Sequence, residues 1–163
     1  MKKTAIILLI AVAVAIAVLN AYQLSQINLN EREKPEKIEL GDVMTKLQRH
    51  SNKLWFAGIN ENWELTAFYI EELEESFEEL SGKDIEENGV NISLLSDQMG
   101  LGSIKPIENS VKSKNIDEFR KSYIQMVNQC NACHIATKYG FVIIKPPLSP
   151  LFDNQEYGNT RSN

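Results

Sequence analysis

The chain has 163 residues with a formal net charge of −5, and it contains two cysteines and two histidines. That length fits one domain, and roughly 140 residues remain after an N-terminal apolar segment, enough for a real core. The acidic balance argues against nucleic acid as a partner, which calls for a basic face, and suits either a basic protein partner or plain solubility.

Lys2 and Lys3 precede the apolar run Ala5 to Leu19, the layout of an export signal with a basic n-region and a short h-region. Leu19-Asn20-Ala21 offers a cleavage site ending in a small residue. Residues 1–21 therefore read as a signal peptide or, if uncleaved, as an N-terminal membrane anchor. The run is shorter than the ~20 apolar residues of a spanning helix, which favours cleavage. Either way the remainder lies in the periplasm or another extracytoplasmic space, soluble or N-terminally anchored. No cysteine lies near Ala21, so a lipid anchor there is excluded. Loss of Lys2 and Lys3 with the leader takes the net charge to −7. Residues 22–35 are polar, without periodicity, and read as a linker.

From Glu36 to Ala57, Leu40, Val43, Met44, Leu47, Leu54 and Trp55 recur at helical spacing, and Gly58 closes the run. His50 falls on the Val43, Leu47, Leu54 line. A second helix is expected over Trp63 to Leu80, capped by Asn60 or Asn62, with Trp63, Ala67, Ile70, Leu73, Phe77 and Leu80 facing inward. Its glutamates at 71, 72, 74, 75, 78 and 79 lie outside that stripe and read as a solvated face rather than a metal site. The short connection makes these two helices antiparallel neighbours.

Residues 81–102 hold Gly82, Gly89, Gly100 and Gly102, which break any long element, while Ile92, Leu94, Leu95 and Met99 can dock on the core. Pro106 suits the first turn of a short third helix with Ile107 and Val111 inward. Asn115 followed by Glu118 resembles a capping arrangement. It opens a fourth helix along Ile116, Phe119, Tyr123, Met126, Val127 and Cys130 that ends near Gly140. Beyond it, residues 141–163 form a tail. Phe141-Val142-Ile143-Ile144 is followed by Pro146, Pro147 and Pro150, which impose an extended conformation. Four apolar residues in a row are expected to fold back over the helices rather than lie in water. The fold class is all-α, an antiparallel four-helix bundle over residues 36–140 with an extended proline-rich tail.

Both cysteines and one histidine lie in Cys130-Asn131-Ala132-Cys133-His134. This C-x-x-C-H run reads as a covalent attachment site for one c-type haem. Two thiols three residues apart on a helix can reach the two vinyl groups along one haem edge, and the next imidazole can bind iron. Three other readings compete. A redox dithiol usually follows a strand in a βαβ pattern, which is missing here. A zinc site needs four ligands, so His50 would have to join. A disulfide across two residues leaves His134 unexplained.

Four helices with the haem motif in the last one resemble the cytochrome c′ family, antiparallel four-helix bundles with C-x-x-C-H near the C-terminal end. Leu54-Trp55-Phe56-Ala57-Gly58 and Asn62-Trp63-Glu64-Leu65 are similar to stretches of uncharacterised bacterial cytochrome-like proteins. The resemblance covers about residues 36–140. It implies covalent haem c on Cys130 and Cys133 with His134 as the proximal iron ligand, and it sets Lys138 where members often carry a basic residue near the proximal haem face.

The leading functional expectation is an exported monohaem carrier that passes electrons to a protein partner the sequence does not name. Trp55, Trp63, Phe68 and Tyr123 are candidate haem contacts, though such aromatics are more often plain core. In an antiparallel bundle the motif lies level with the first half of the first helix, so Met44 and His50 are the candidates for a sixth ligand. The alternative is a five-coordinate haem that binds or senses a small gas such as nitric oxide. Peroxidase-like turnover ranks third and would draw on His50 as a distal acid–base group.

Overall fold

A computed structural model of the chain describes residues 2–32 and 38–158. It divides into two units, Met1–Lys37 and Ile38–Asn163. The first is a single helix, α1, Lys2–Arg32. Residues 22–32, expected as linker, continue this helix, because uncharged Asn20, Tyr22, Gln23 and Ser25 do not interrupt it. The linker's remaining positions 33–35 lie outside the described residues, as do the first two positions of the helix expected from Glu36. Within α1, Ile6–Gln26 is a 21-residue stretch long and apolar enough to cross a membrane. A signal sequence has the same character.

The second unit is mostly helical. It contains α2 (Leu40–Ile59), α3 (Trp63–Glu78), a short hairpin of β1 (Glu86–Glu87) and β2 (Val90–Asn91), then α4 (Ile92–Leu95). A π-helical turn (Ser96–Leu101) leads into α5 (Gly102–Lys112), and α6 (Ile116–Ala136) follows. Asn62 caps α3 by accepting from the Leu65 N–H at 3.2 Å, and Asn115 caps α6 by accepting from the Asp117 and Glu118 N–H groups. Such caps satisfy donors that the first turn leaves free.

The apolar stripes meet as their spacing dictates. Val43, Leu47, Leu54 and Ala57 of α2, Ile70, Leu73 and Phe77 of α3, Ile104 and Ile107 of α5, and Phe119, Tyr123 and Met126 of α6 are buried. Each buried Leu, Ile or Phe contributes about 1.5–3 kcal/mol of transfer free energy. α2 and α3 run antiparallel, with Lys46 bonded to Glu79 and His50 beside Glu72. α2 and α6 are also antiparallel: Trp55 packs between Phe119 and Tyr123, and the Tyr123 hydroxyl donates to the Ser51 carbonyl at 3.0 Å.

Three glycine and proline assignments change. Gly58 does not close α2 but lies inside it, buried, where a Cβ would stand 2.0 Å from the Phe119 ring. Gly100 is likewise helical, with the Phe77 ring 2.5 Å from where its Cβ would be. Pro106 is the fifth residue of α5 rather than in its first turn, and its missing N–H leaves the Gly102 carbonyl without the usual partner. Gly58→Ala is expected to destabilise the protein by about 1–3 kcal/mol, the usual cost of overpacking. Denaturant unfolding measures it, and an unchanged midpoint refutes the close approach.

After α6 the chain folds back over the helices, as expected, but side-chain amides hold it more than apolar burial does. Asn52 of α2 accepts from the Leu151 N–H at 3.1 Å and donates to the Ser149 carbonyl at 3.5 Å. Tyr69 donates to Gln155 at 2.8 Å, Asn62 donates to the Gly158 carbonyl at 3.3 Å, and Tyr157 packs on Phe56. Phe141 (77% exposed), Ile143 (74%) and Leu148 (92%) stay in solvent. Of the run from Phe141 to Ile144, only Ile144 packs partly against the core.

Candidate functional site

Helix α6 delivers the motif. Its last three turns carry Met126, Cys130, Cys133 and His134, which all line one cavity of about 490 Å³. That is an ordinary size for a cofactor pocket. The lining is largely apolar, with Leu47 from α2, Leu73, Phe77 and Leu80 from the α3 side, and Ile92 and Leu95 from α4. Met44 and Met99 line it too, so every methionine after Met1 borders the same space as both cysteines.

The thiols are free, and they are poor nucleophiles as placed. Burial pushes the Cys130 thiol up to about 11, with the neighbouring Cys133 adding to the rise, and burial raises Cys133 as well. Catalytic dithiols show the opposite shift, which helix N-termini or nearby cations produce. Alkylation of Cys130 in haem-free protein at pH 8 should therefore run roughly a hundredfold slower than for an ordinary thiol. Its rate should still climb tenfold per pH unit past pH 9, and a plateau near pH 8.5 would contradict the burial. A raised thiol also ties stability to pH. The folded state holds the proton more tightly, so this contribution is complete below the unfolded value near 9 and is lost as pH rises toward about 11.

His134 is oriented from outside the helix. Its Nδ1 lies 2.8 Å from the Val142 carbonyl oxygen. A carbonyl only accepts, so Nδ1 carries the proton, which in the neutral ring leaves the lone pair on Nε2. This arrangement, one ring nitrogen tied to a backbone carbonyl, is typical of a metal-binding histidine.

The end of α6 is built with equal care. Lys138 is left-handed (φ 66°), its N–H donates to Ile135, and the Tyr139 N–H donates to His134. These are the two bonds of a Schellman stop. The β1–β2 turn then clamps this end: Asn88 donates to the Thr137 carbonyl at 2.8 Å and Tyr139 donates to Glu87 at 2.8 Å. Lys138 is thus placed by its backbone role and does not line the cavity. Trp55 does not line it either, since it stacks on Phe119 and Tyr123 in the core.

The two candidate iron ligands on α2 are separated by geometry. The Tyr123–Ser51 bond fixes the level of α6 against α2. Counting 1.5 Å per residue in opposite directions, Cys130 lies level with Met44, and His134 lies about 6 Å from Met44 and about 15 Å from His50 along the axis. Met44 lines the cavity and His50 does not. Instead the His50 Nδ1 is buried 3.5 Å from Glu72, without hydrogen-bond geometry.

Among the described residues, no three His, Cys, Asp or Glu side chains converge to hold a metal ion. His50, about 15 Å along the axis from the His134 level, is not placed to join the motif in a four-ligand zinc site. The residues do fit haem, which needs an apolar slot, two thiols along its edge and one free imidazole nitrogen. Reading the sequence alone missed Met99, Asn131 and the Val142 carbonyl; an apolar Met in a glycine-rich stretch and a tail carbonyl give no local signal. The Asn88-Gly89 turn was there to be read. Comparison with protein-family models, curated proteins and solved structures found no match.

Proposed function

We propose that the protein is an exported, monohaem c-type cytochrome that carries electrons. The observation that supports it is the meeting of Cys130, Cys133 and His134 on one apolar cavity with Met44. We read α2, α3, α5 and α6 as an antiparallel four-helix bundle that resembles the cytochrome c′ family. Cys130 and Cys133 would hold haem through two thioethers, each S–H adding across a vinyl group with no change in oxidation state. His134 would bind the iron through Nε2, and Met44, which lines the same cavity, would offer its thioether sulfur. Bound there, haem supplies a one-electron ferrous–ferric couple. The chain's own residues exclude water with their aliphatic lining and fix the imidazole through Val142.

The protein is not read as an enzyme, and its partner is a redox protein of unassigned identity. The leader either is removed or tethers the unit to a membrane through the Ile6–Gln26 stretch. A five-coordinate, gas-binding haem is the second reading, favoured by the aliphatic lining contributed by Leu47, Leu73 and Ile92. Denaturing mass spectrometry of protein from cells that mature c-type cytochromes tests the proposal: one haem per chain supports it, and a bare polypeptide rejects it.

A further inference from the structure

We propose that Asn131, one of the two residues between the cysteines, is a positioning residue for His134. Its amide makes two bonds to one residue of the tail. Oδ1 accepts from the Ile144 N–H at 2.8 Å, and Nδ2 donates to the Ile144 carbonyl at 2.8 Å. This is the pairing that an adjacent strand would offer, so it fixes both the distance and the orientation of the tail backbone. Two residues earlier the Val142 carbonyl meets His134 Nδ1, also at 2.8 Å. Asn131 and His134 are three apart and share a helix face, so one stretch of tail serves both.

Apolar packing holds this stretch only at Ile144, which packs partly against the core, since Phe141 and Ile143 on either side of Val142 are 77% and 74% exposed. The Val142 N–H donates to Tyr139 at 2.8 Å, which shapes the turn but does not attach it to α6 beyond the motif. The orientation of its backbone is set by the Asn131 amide. A firm Nδ1–H···O=C bond makes the imidazole a stronger donor to a metal and favours its oxidised state. Release of the tail would weaken that bond.

The redox consequence rests on the haem reading above, and the test keeps the two apart. In full-length, haem-loaded protein, Asn131→Ala should raise the reduction potential and speed Ile144 amide exchange by about fivefold or more, as loss of one hydrogen bond implies. Asn52→Ala, which frees Ser149 and Leu151 instead, should leave both readings unchanged. Asn131→Asp keeps the acceptor and loses the donor, so its Ile144 exchange rate should fall between parent and Asn131→Ala, while its added charge acts on the potential separately. It also serves if the alanine variant does not fold. An unchanged potential in the Asn131 variants, or an equal shift in Asn52→Ala, overturns the assignment. If the parent carries no haem, the cytochrome reading fails alone. The positioning role is then judged by ¹⁵N shifts of His134 in the haem-free chain, where the Nδ1–H tautomer should dominate in the parent and mix with the other in Asn131→Ala. An unchanged tautomer overturns it.

Discussion

On the proposed haem reading, replacing Cys130 and Cys133 together by Ala should abolish the haem mass that survives denaturation, while each single replacement leaves one thioether and a shifted absorption band. Only covalent bonds outlast unfolding, and His134 coordination does not. The effect is all-or-none in mass, which makes it the most decisive expected result. The rival dithiol reading predicts instead a reversible two-electron couple at these sulfurs. With the Cys130 thiol near 11, only about one molecule in ten thousand would present its thiolate at pH 7, which disfavours exchange chemistry. Haem retained after denaturation in the double variant would remove the assignment of these residues.

Met44→Ala should produce the second large change. If the Met44 thioether binds the iron of a haem held by the motif, its loss should abolish a sulfur-to-iron band in the oxidised protein. It should also lower the potential by on the order of a hundred millivolts, within the ~0.8 V that axial ligands span. His50→Ala should change neither, because His50 lies about 15 Å from the His134 level along α2 and sits beside Glu72. Met99→Ala supplies the control. Met99 borders the same cavity from the π-helical turn, a type of distortion frequent at functional sites. A band that persists without Met44 and vanishes without Met99 would move the ligand there. Indifference to both would leave the iron five-coordinate and put gas binding first.

Much of this architecture was legible because periodicity and capping are local. Val43, Leu47 and Leu54 marked the buried face of α2, and Asn115 with Glu118 marked the start of α6. Antiparallel packing alone set Met44 and His50 as two candidates near the motif's level, and the Tyr123–Ser51 bond is what separates them. What stayed hidden depends on distant partners. Gly58 reads as a helix stop until Phe119, some sixty residues on, occupies the space of its side chain. The glycines at 100 and 102 read as breakers, yet Gly100 is there because the Phe77 ring needs the room. The tail's apolar run suggested burial, but its backbone finds amides at Asn131 and Asn52 that no spacing rule connects to it.

The tail's attachments also set an order of events during folding. Asn52 meets Leu151, Asn62 meets Gly158 and Tyr69 meets Gln155 across 99, 96 and 86 residues. Loop closure over such distances is slow compared with pairing of helices joined by turns of three residues. The helices therefore associate first and the strap closes afterwards. Until it does, the motif end of α6 lacks both the Val142 carbonyl and the cover of the chain beyond it. That interval leaves open two thiols that the closed chain borders.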